Sequence, residues 1–339
     1  MKQITSSIFL TLIMILFSAC SDKSSLIKVA ESNYQWTGIA VSDEGRIFVN
    51  YPTWKVSSPF KVAEIVNGKE VAYPSEEANK QFVCVQSVVI DNMNQLWVLD
   101  PANPQFKGVV EGGPKLFQID MQTNEIIRTY TFSDSIYSST SYLNDVRIDT
   151  NDQIAYMTDS EDGGIVVLDL TTGNSWRALN NTCPAVLANL DGIDFKSTGK
   201  SKGITNSDGI ELSKDNKTLY FAALTGDILY QVPTSVLRDT TLTTEDRCKE
   251  VIALNTKNVP TDGMILHNNK LYMANLPNES LWSFDLDTKE GRNIDLGSVI
   301  RWADSFAIGA DGYIYFTTSQ INYPEQERVK YGIYKFKPE

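Results

Sequence analysis

The chain has 339 residues and a single histidine, His267. It sits in "LHNNK", a polar turn between two β-prone runs. With its only histidine in that turn and no second one elsewhere, a Ser-His-Asp triad at the acidic strand starts and a His-based zinc site are both poor candidates for organising chemistry. GxSxG, HExxH, the phosphate loop and the dinucleotide fingerprint are missing as well. Cysteine is scarce, and no two of Cys20, Cys84, Cys183 and Cys248 stand close enough for a zinc-site spacing. Positive charge is short too: 30 Lys and Arg face 42 Asp and Glu, for a net charge of −12. With no basic cluster, nucleic acid and anionic lipid are poor partners. Long hydrophobic runs are missing after the N-terminus. Even the first, Ile8 to Phe17, falls short of the roughly 20 residues a spanning helix needs.

That first run has a different meaning. Lys2, the apolar stretch and Ser18-Ala19-Cys20 have the layout of an export signal. The cysteine after Leu16-Phe17-Ser18-Ala19 resembles a bacterial lipoprotein signal, with Cys20 as the lipidated first residue. The alternative is an ordinary cleaved signal and an incidental cysteine. Residues 1–20 are then the signal, 21–25 a tether, and 26–339 one domain anchored outside the cytoplasm. Cys84, in "FVCVQSVVI", is expected to be a buried free thiol. Cys183 and Cys248 lie in loop-like segments and could pair in an oxidising compartment or stay free.

What the chain has in abundance is one pattern, six times over. The copies begin at Thr37, Gln86, Asn144, Asp208, Asp262 and Asp304, spaced by 49, 58, 64, 54 and 42 residues. Each holds a short apolar alternation, a turn rich in Asp, Asn or Gly, and an aromatic and aliphatic second run. That is a β-hairpin by period and by turn chemistry. Further strand-like runs follow each hairpin, and helical periodicity is almost absent. Six units of about four strands predict an all-β, six-bladed β-propeller. The last unit is one strand short at the C-terminus, and "LIKVAE", Leu26 to Glu31, is expected to complete that blade and close the ring.

The topology places the six starting residues around one mouth of the central channel. The returning strands end on the same face with Asn50, Asp100, Asp159, Asn275 and Ser319. Thr37, Gln86, Asn144, Asp208, Asp262 and Asp304 are therefore the candidate ligand-binding residues. Carboxylates about 5 Å apart repel by roughly 3 kcal/mol at an effective dielectric near 20, so an empty, fully ionised ring is unfavourable. A cation would relieve it, either Ca²⁺ on oxygen ligands or the ammonium of a small amine. Trp36 and Trp302 could offer it aromatic faces. Trp97, Trp176 and Trp282 read as core, and "YPTW", Tyr51 to Trp54, as a rim loop packed on the neighbouring blade. Residues 177–206 and 232–258 are the longest insertions, and loops of that length can shape a pocket.

"WTGIAVSDEGRIFVNYPTW" (36–54), "LWVLD" (96–100), "SDGIELSKDNKTLYFAALTGDILYQVPTSVLRD" (207–239) and "RWADSFAIGADGYIYFTT" (301–318) resemble the major royal jelly protein/yellow family. The resemblance runs from about residue 35 to 335. It implies secretion and a six-bladed propeller, with insect members associated with dopachrome-like pigment chemistry, biogenic-amine binding or nutrition. The related gluconolactonase/regucalcin propellers hold a divalent cation on Glu, Asn and Asp at strand starts. Asp208 and Asp262 fall at two such positions, but Thr37 stands where the glutamate is expected.

The expectation is an exported, lipid-anchored, monomeric propeller binding a small polar or cationic ligand at the Asp-rich mouth. One rival is a Ca²⁺-dependent lactonase-like hydrolase, with the metal on Asp208 and Asp262 and water assisted by Asp304 or Asn144. A second is a protein-interaction module using the rim loops.

Overall fold

Six four-stranded antiparallel sheets surround a central channel, five of them in simple sequence order from the inside outwards and the sixth completed outermost by the first strand of the chain. The structure is a computed structural model describing residues 25–55, 58–201, 203–255 and 257–338. The signal segment, Cys20 and residues 21–24 of the tether lie outside the described residues. Blade 1 runs from Ile39–Val41 to Lys69–Ala72, blade 2 from Ser87–Ile90 to Glu125–Thr131, and blade 3 from Leu143–Asp149 to Ser175–Leu179. Blade 4 runs from Ser207–Leu212 to Ile252–Asn255 and blade 5 from Met264–His267 to Gly291–Ile294. In blade 6 the strands Ala303–Ile308, Ile314–Thr318 and Tyr331–Phe336 are completed by Ile27–Ser32.

That outer strand pairs antiparallel with Tyr331–Phe336, Ile27 opposite Lys335 and Ser32 opposite Tyr331. It lies one residue later than the sequence suggested. The pairing satisfies an edge that would otherwise be bare and ties the first strand to the last.

The core explains why the second strands read as nearly continuous apolar runs. Side chains alternate between two faces, and each face of a blade packs on a different neighbour. In blade 3, Ile154 and Tyr156 join Ile210, Leu219 and Phe221 of blade 4. Ala155 and Met157, one residue out of phase, join Trp97 and Leu99 of blade 2. Six apolar clusters fill the six gaps in this way, the last holding Val49 and Tyr51 of blade 1 against Tyr315 and Ile333 of blade 6.

A belt of hydrogen bonds joins the innermost strands. Thr37 Oγ1 donates to the Gln86 carbonyl at 3.0 Å, Thr158 Oγ1 to the Asp208 carbonyl at 2.8 Å, and the Gly263 N–H to the Asp304 carbonyl at 2.8 Å. Thr317 Oγ1 closes the circle on the Thr37 carbonyl. The glycine after the ring residue is needed for this approach, since a Cβ at Gly209 would sit 2.3 Å from the Asp262 carbonyl oxygen.

The two long insertions are joined. Cys183 and Cys248 form a disulfide across 65 residues of sequence, while Cys84 is buried and free. Residues 232–258 carry two short helices, Thr234–Arg238 and Thr244–Lys249, on the outside of the ring. Residues 177–206 carry a hairpin, Ile193–Phe195 with Gly199–Ser201, that reaches over to blades 5 and 6. No helix among the described residues is long and apolar enough to cross a membrane.

Candidate functional site

The innermost strands of blades 3, 4 and 6 each lose register where the ring residue sits. The shifts fall between Leu143 and Val146, Ser207 and Ile210, and Ala303 and Phe306. A β-bulge re-aims a side chain that a regular strand would point at a neighbouring blade. Asn144, Asp208 and Asp304 all lie inside these bulges. Asp262 is reached differently, on the residues just before its strand begins.

The mouth is a pocket of about 310 Å³. Gln86, Asn144, Asp208 and Asp262 line it, so four of the six ring residues meet at one surface. Thr37 is fully buried and spends its hydroxyl on the belt, also accepting from Asn50 Nδ2 at 2.8 Å. Asp304 lies behind the pocket surface. The returning-strand ends act as pins for the loops above. Asp100 accepts from the N–H groups of Val83, Cys84 and Ala102, and Asp159 accepts from Tyr142 N–H and Arg177 Nη2.

The floor is acidic and only partly satisfied. Asn144 Nδ2 donates to Asp208 Oδ2 at 2.6 Å, and Trp302 Nε1 donates to Asp262 Oδ2 at 2.6 Å. Asp208 Oδ1 and Asp304 Oδ2 are buried without a well-formed hydrogen bond, with the Asp262 carboxyl beside Asp208 and the Ser319 hydroxyl beside Asp304. Burial first, then the neighbouring acids, pushes all three carboxyls well above the usual carboxylate range. Asp208 feels Asp145 and Asp304, while Asp262 feels Asp208 and Asp145.

Asp145 is an acid that the repeat alignment passed over. It follows Asn144, at a position held by Gly38, Ser87, Gly209, Gly263 and Ser305 in the other five repeats. A lone acid in a column of glycine and serine was the available signal. Two residues further along, Arg147 bridges blades 3, 4 and 5: its Nε donates to Glu211 Oε2 at 3.2 Å and its Nη2 to the Met264 carbonyl at 2.8 Å.

The walls are aromatic. Phe106 stacks on Tyr142 with ring centres 4.7 Å apart, and Trp54 lies 6.0 Å from Phe106. Trp54 Nε1 donates to the Tyr142 hydroxyl, which donates to Gln86 Oε1, both at 2.9 Å. On the other side, Trp302 stacks on Phe195 of the inserted hairpin at 5.5 Å. Trp36 is not a wall residue: it lies in the stretch before the first strand of blade 1 and is fully buried between blades 1 and 6. Trp54, Phe106 and Tyr142 take its place. "YPTW" marked Trp54, but nothing in the local pattern marked Phe106. Its loop carries three non-glycine residues at positive φ, Ala102 at 51°, Gln105 at 60° and Phe106 at 55°. Such conformations cost of order 1–3 kcal/mol each and collect at binding sites.

The 232–258 insertion does not touch the pocket, whereas Thr205 and the Phe195 hairpin of the 177–206 insertion shape it. His267 ends the innermost strand of blade 5 beside Asn268 and does not line the mouth pocket. Among the described residues, no group of three or more His, Cys, Asp or Glu could hold a metal ion.

Fold and site together define a six-bladed propeller with an acid-floored, aromatic-walled pocket at one channel mouth. The chain belongs to the major royal jelly protein family, whose sequence profile matches residues 83–315. It is 25% identical to protein yellow of Drosophila melanogaster over 263 residues, covering 68% of this chain and 47% of that protein. It is 27% identical to a yellow-related salivary protein of Lutzomyia longipalpis over 177 residues, covering 44% and 43%. The chain thus spans less than half the length of these relatives. Among solved structures, a luciferin-regenerating enzyme superposes with a TM-score of 0.61 at 11% identity, covering 93% of this chain and 95% of that one. Regucalcin from Agrobacterium tumefaciens superposes at 0.58 and 10% identity, covering 93% and 95%. These structural likenesses establish the fold alone.

Proposed function

We propose that the protein is an exported, lipid-anchored propeller whose mouth pocket binds a small organic cation. The observation that carries this reading is Asp208 Oδ1, buried without a well-formed hydrogen bond at the floor of a pocket walled by Trp54, Phe106, Tyr142 and Trp302. An ammonium there gains charge-assisted hydrogen bonds worth about 1.5–3 kcal/mol each, and aromatic faces add a cation–π contribution. The Ca²⁺-lactonase alternative fits less well. Ca²⁺ takes six to eight oxygens, whereas Asp208 and Asp262 supply two carboxylates and Thr37 faces the next blade.

Calorimetry with tyramine, with CaCl₂ and with a panel of lactones tests this directly. Saturable heat with tyramine and none with CaCl₂ is the expected result. Ca²⁺ binding accompanied by lactone turnover would overturn it in favour of the hydrolase.

The Cys183–Cys248 disulfide supports an oxidising compartment. Cys20→Ser should release the protein from the membrane fraction. Membrane retention equal to wild type would refute the anchor.

A further inference from the structure

The charged side chains that line the mouth pocket are acidic on one side only, with Asp304 of blade 6 lying behind the lining. Asp208 comes from blade 4, Asp262 from the entry to blade 5, and Glu161 from the exposed turn inside blade 3. Lys55 comes from the loop after the second strand of blade 1, and Arg328 from the loop before the last strand of blade 6. In a ring of six, blades 1 and 6 stand opposite blades 4 and 3. The lining charges are therefore sorted across the mouth, negative on one side and positive on the other.

Neither set neutralises the other by contact. Arg328 donates from Nε to the Tyr323 carbonyl at 2.9 Å and makes longer contacts to Tyr331 Oη and the Ile321 carbonyl, with no carboxylate among its partners. Those bonds fix its guanidinium at the pocket wall. Lys55 is exposed and has no ion-pair partner among the described residues. A plain amine would satisfy only the Asp208 side. Between the two charged sides lie the aromatic faces of Phe106, Tyr142 and Trp302.

We propose that the pocket selects an aromatic zwitterion, with its ammonium on Asp208 and Asp262 and its carboxylate towards Lys55 and Arg328. This rests on the cation-binding reading above and narrows it from amines to amino acids with a flat, apolar body. The carboxylate is recognised by one fixed guanidinium and one flexible ammonium, so its contribution is salt-sensitive. One added charge-assisted contact at a half-exposed site corresponds to about tenfold in affinity.

The test is calorimetric titration at low ionic strength with tyrosine, tyramine and 3-(4-hydroxyphenyl)propionate, which share one ring and differ only in charge. Tyrosine should bind about tenfold more tightly than tyramine, and the propionate should give no saturable heat. Lys55→Met changes an exposed side chain and leaves the fold intact. It should lower the tyrosine-to-tyramine ratio severalfold, and Lys55→Met with Arg328→Gln should bring it close to one while tyramine affinity is kept. Equal binding of tyrosine and tyramine to wild type, or a ratio unmoved by both variants, overturns the zwitterion and leaves the cation site standing. Failure of both ligands to bind overturns the two together.

Discussion

The two mouths of the channel make opposite use of buried charge. The mouth opposite the acidic ring is the larger, about 360 Å³ against 310 Å³, and is lined by Val41, Ile90, Ile148, Leu212 and Ile308. Its buried charge is matched, while Asp91 and Lys214 at its rim have no ion-pair partner among the described residues. Arg147 meets Glu211 and two backbone carbonyls, with the side chains only 13% and 9% exposed. Burial opposes both charges: Glu211 and Asp145 hold the Arg147 pKa up, whereas at Glu211 burial outweighs Arg147 and leaves that carboxyl above the usual carboxylate range. At the acidic mouth Asp208, Asp262 and Asp304 have amide, indole and hydroxyl neighbours but no cation in contact. A matched pair holds the ring together, whereas an unmatched cluster is poised for a ligand. Size is the weaker guide.

The sharpest way to break this contrast is Arg147→Met. It leaves Glu211 and Asp145 buried without a counter-charge and should cost about 3–5 kcal/mol of stability by urea unfolding at neutral pH. Adding Glu211→Leu should recover much of that loss. An unchanged midpoint for the single variant would show that Arg147 and Glu211 are not a matched pair. Next in size is the link between the insertions. Replacing Cys183 and Cys248 by alanine should cost about 2–4 kcal/mol, because a 65-residue separation is released in the unfolded chain. Retained stability would mean that the insertions are held by packing alone.

The pH dependence of the empty protein follows from the same contrast. Asp208, Asp262 and Asp304 have folded pKa values raised by burial, so the folded state holds more protons than the unfolded chain. Their contribution to stability is therefore greatest near the ordinary carboxylate pKa of about 4 and is lost as pH rises through the raised values. Unfolding midpoints from pH 5 to 8 should fall, and a saturating amine should flatten the slope. A rise across that range would place the acids in matched pairs. A local effect belongs to Thr37→Val, about 1–3 kcal/mol from the lost bonds to the Gln86 carbonyl and from Asn50 Nδ2, with ligand affinity unchanged. A change in affinity would return Thr37 to the site.

The contrast also shows what was legible in the sequence. The blades were, because six hairpins with Asp, Asn and Gly turns repeat in phase and the missing outer strand has an unambiguous source in Ile27–Ser32. The acidic floor was legible in part: Asp208 and Asp262 follow from alignment, while Asp145 hides one residue off the column. The aromatic walls were not. Phe106 lies in a loop inside blade 2 and Tyr142 just before the first strand of blade 3. The Phe106 loop is placed by positive-φ backbone and by contacts such as the Gln105 N–H to the Thr53 carbonyl, 2.8 Å apart. No period encodes such contacts. Trp36 was misplaced because it precedes the first strand of its blade, where there is no strand phase to count.

The central claim is that the mouth acids are uncompensated until a cation arrives. Thermal unfolding of wild type and Asp208→Asn at pH 8, with and without tyramine, tests it most directly. The amide keeps the shape and can still accept from Asn144 while removing a buried charge. The account predicts a higher midpoint for the empty variant than for empty wild type, together with loss of most of the tyramine-induced rise. A lower midpoint with an undiminished tyramine response would contradict it.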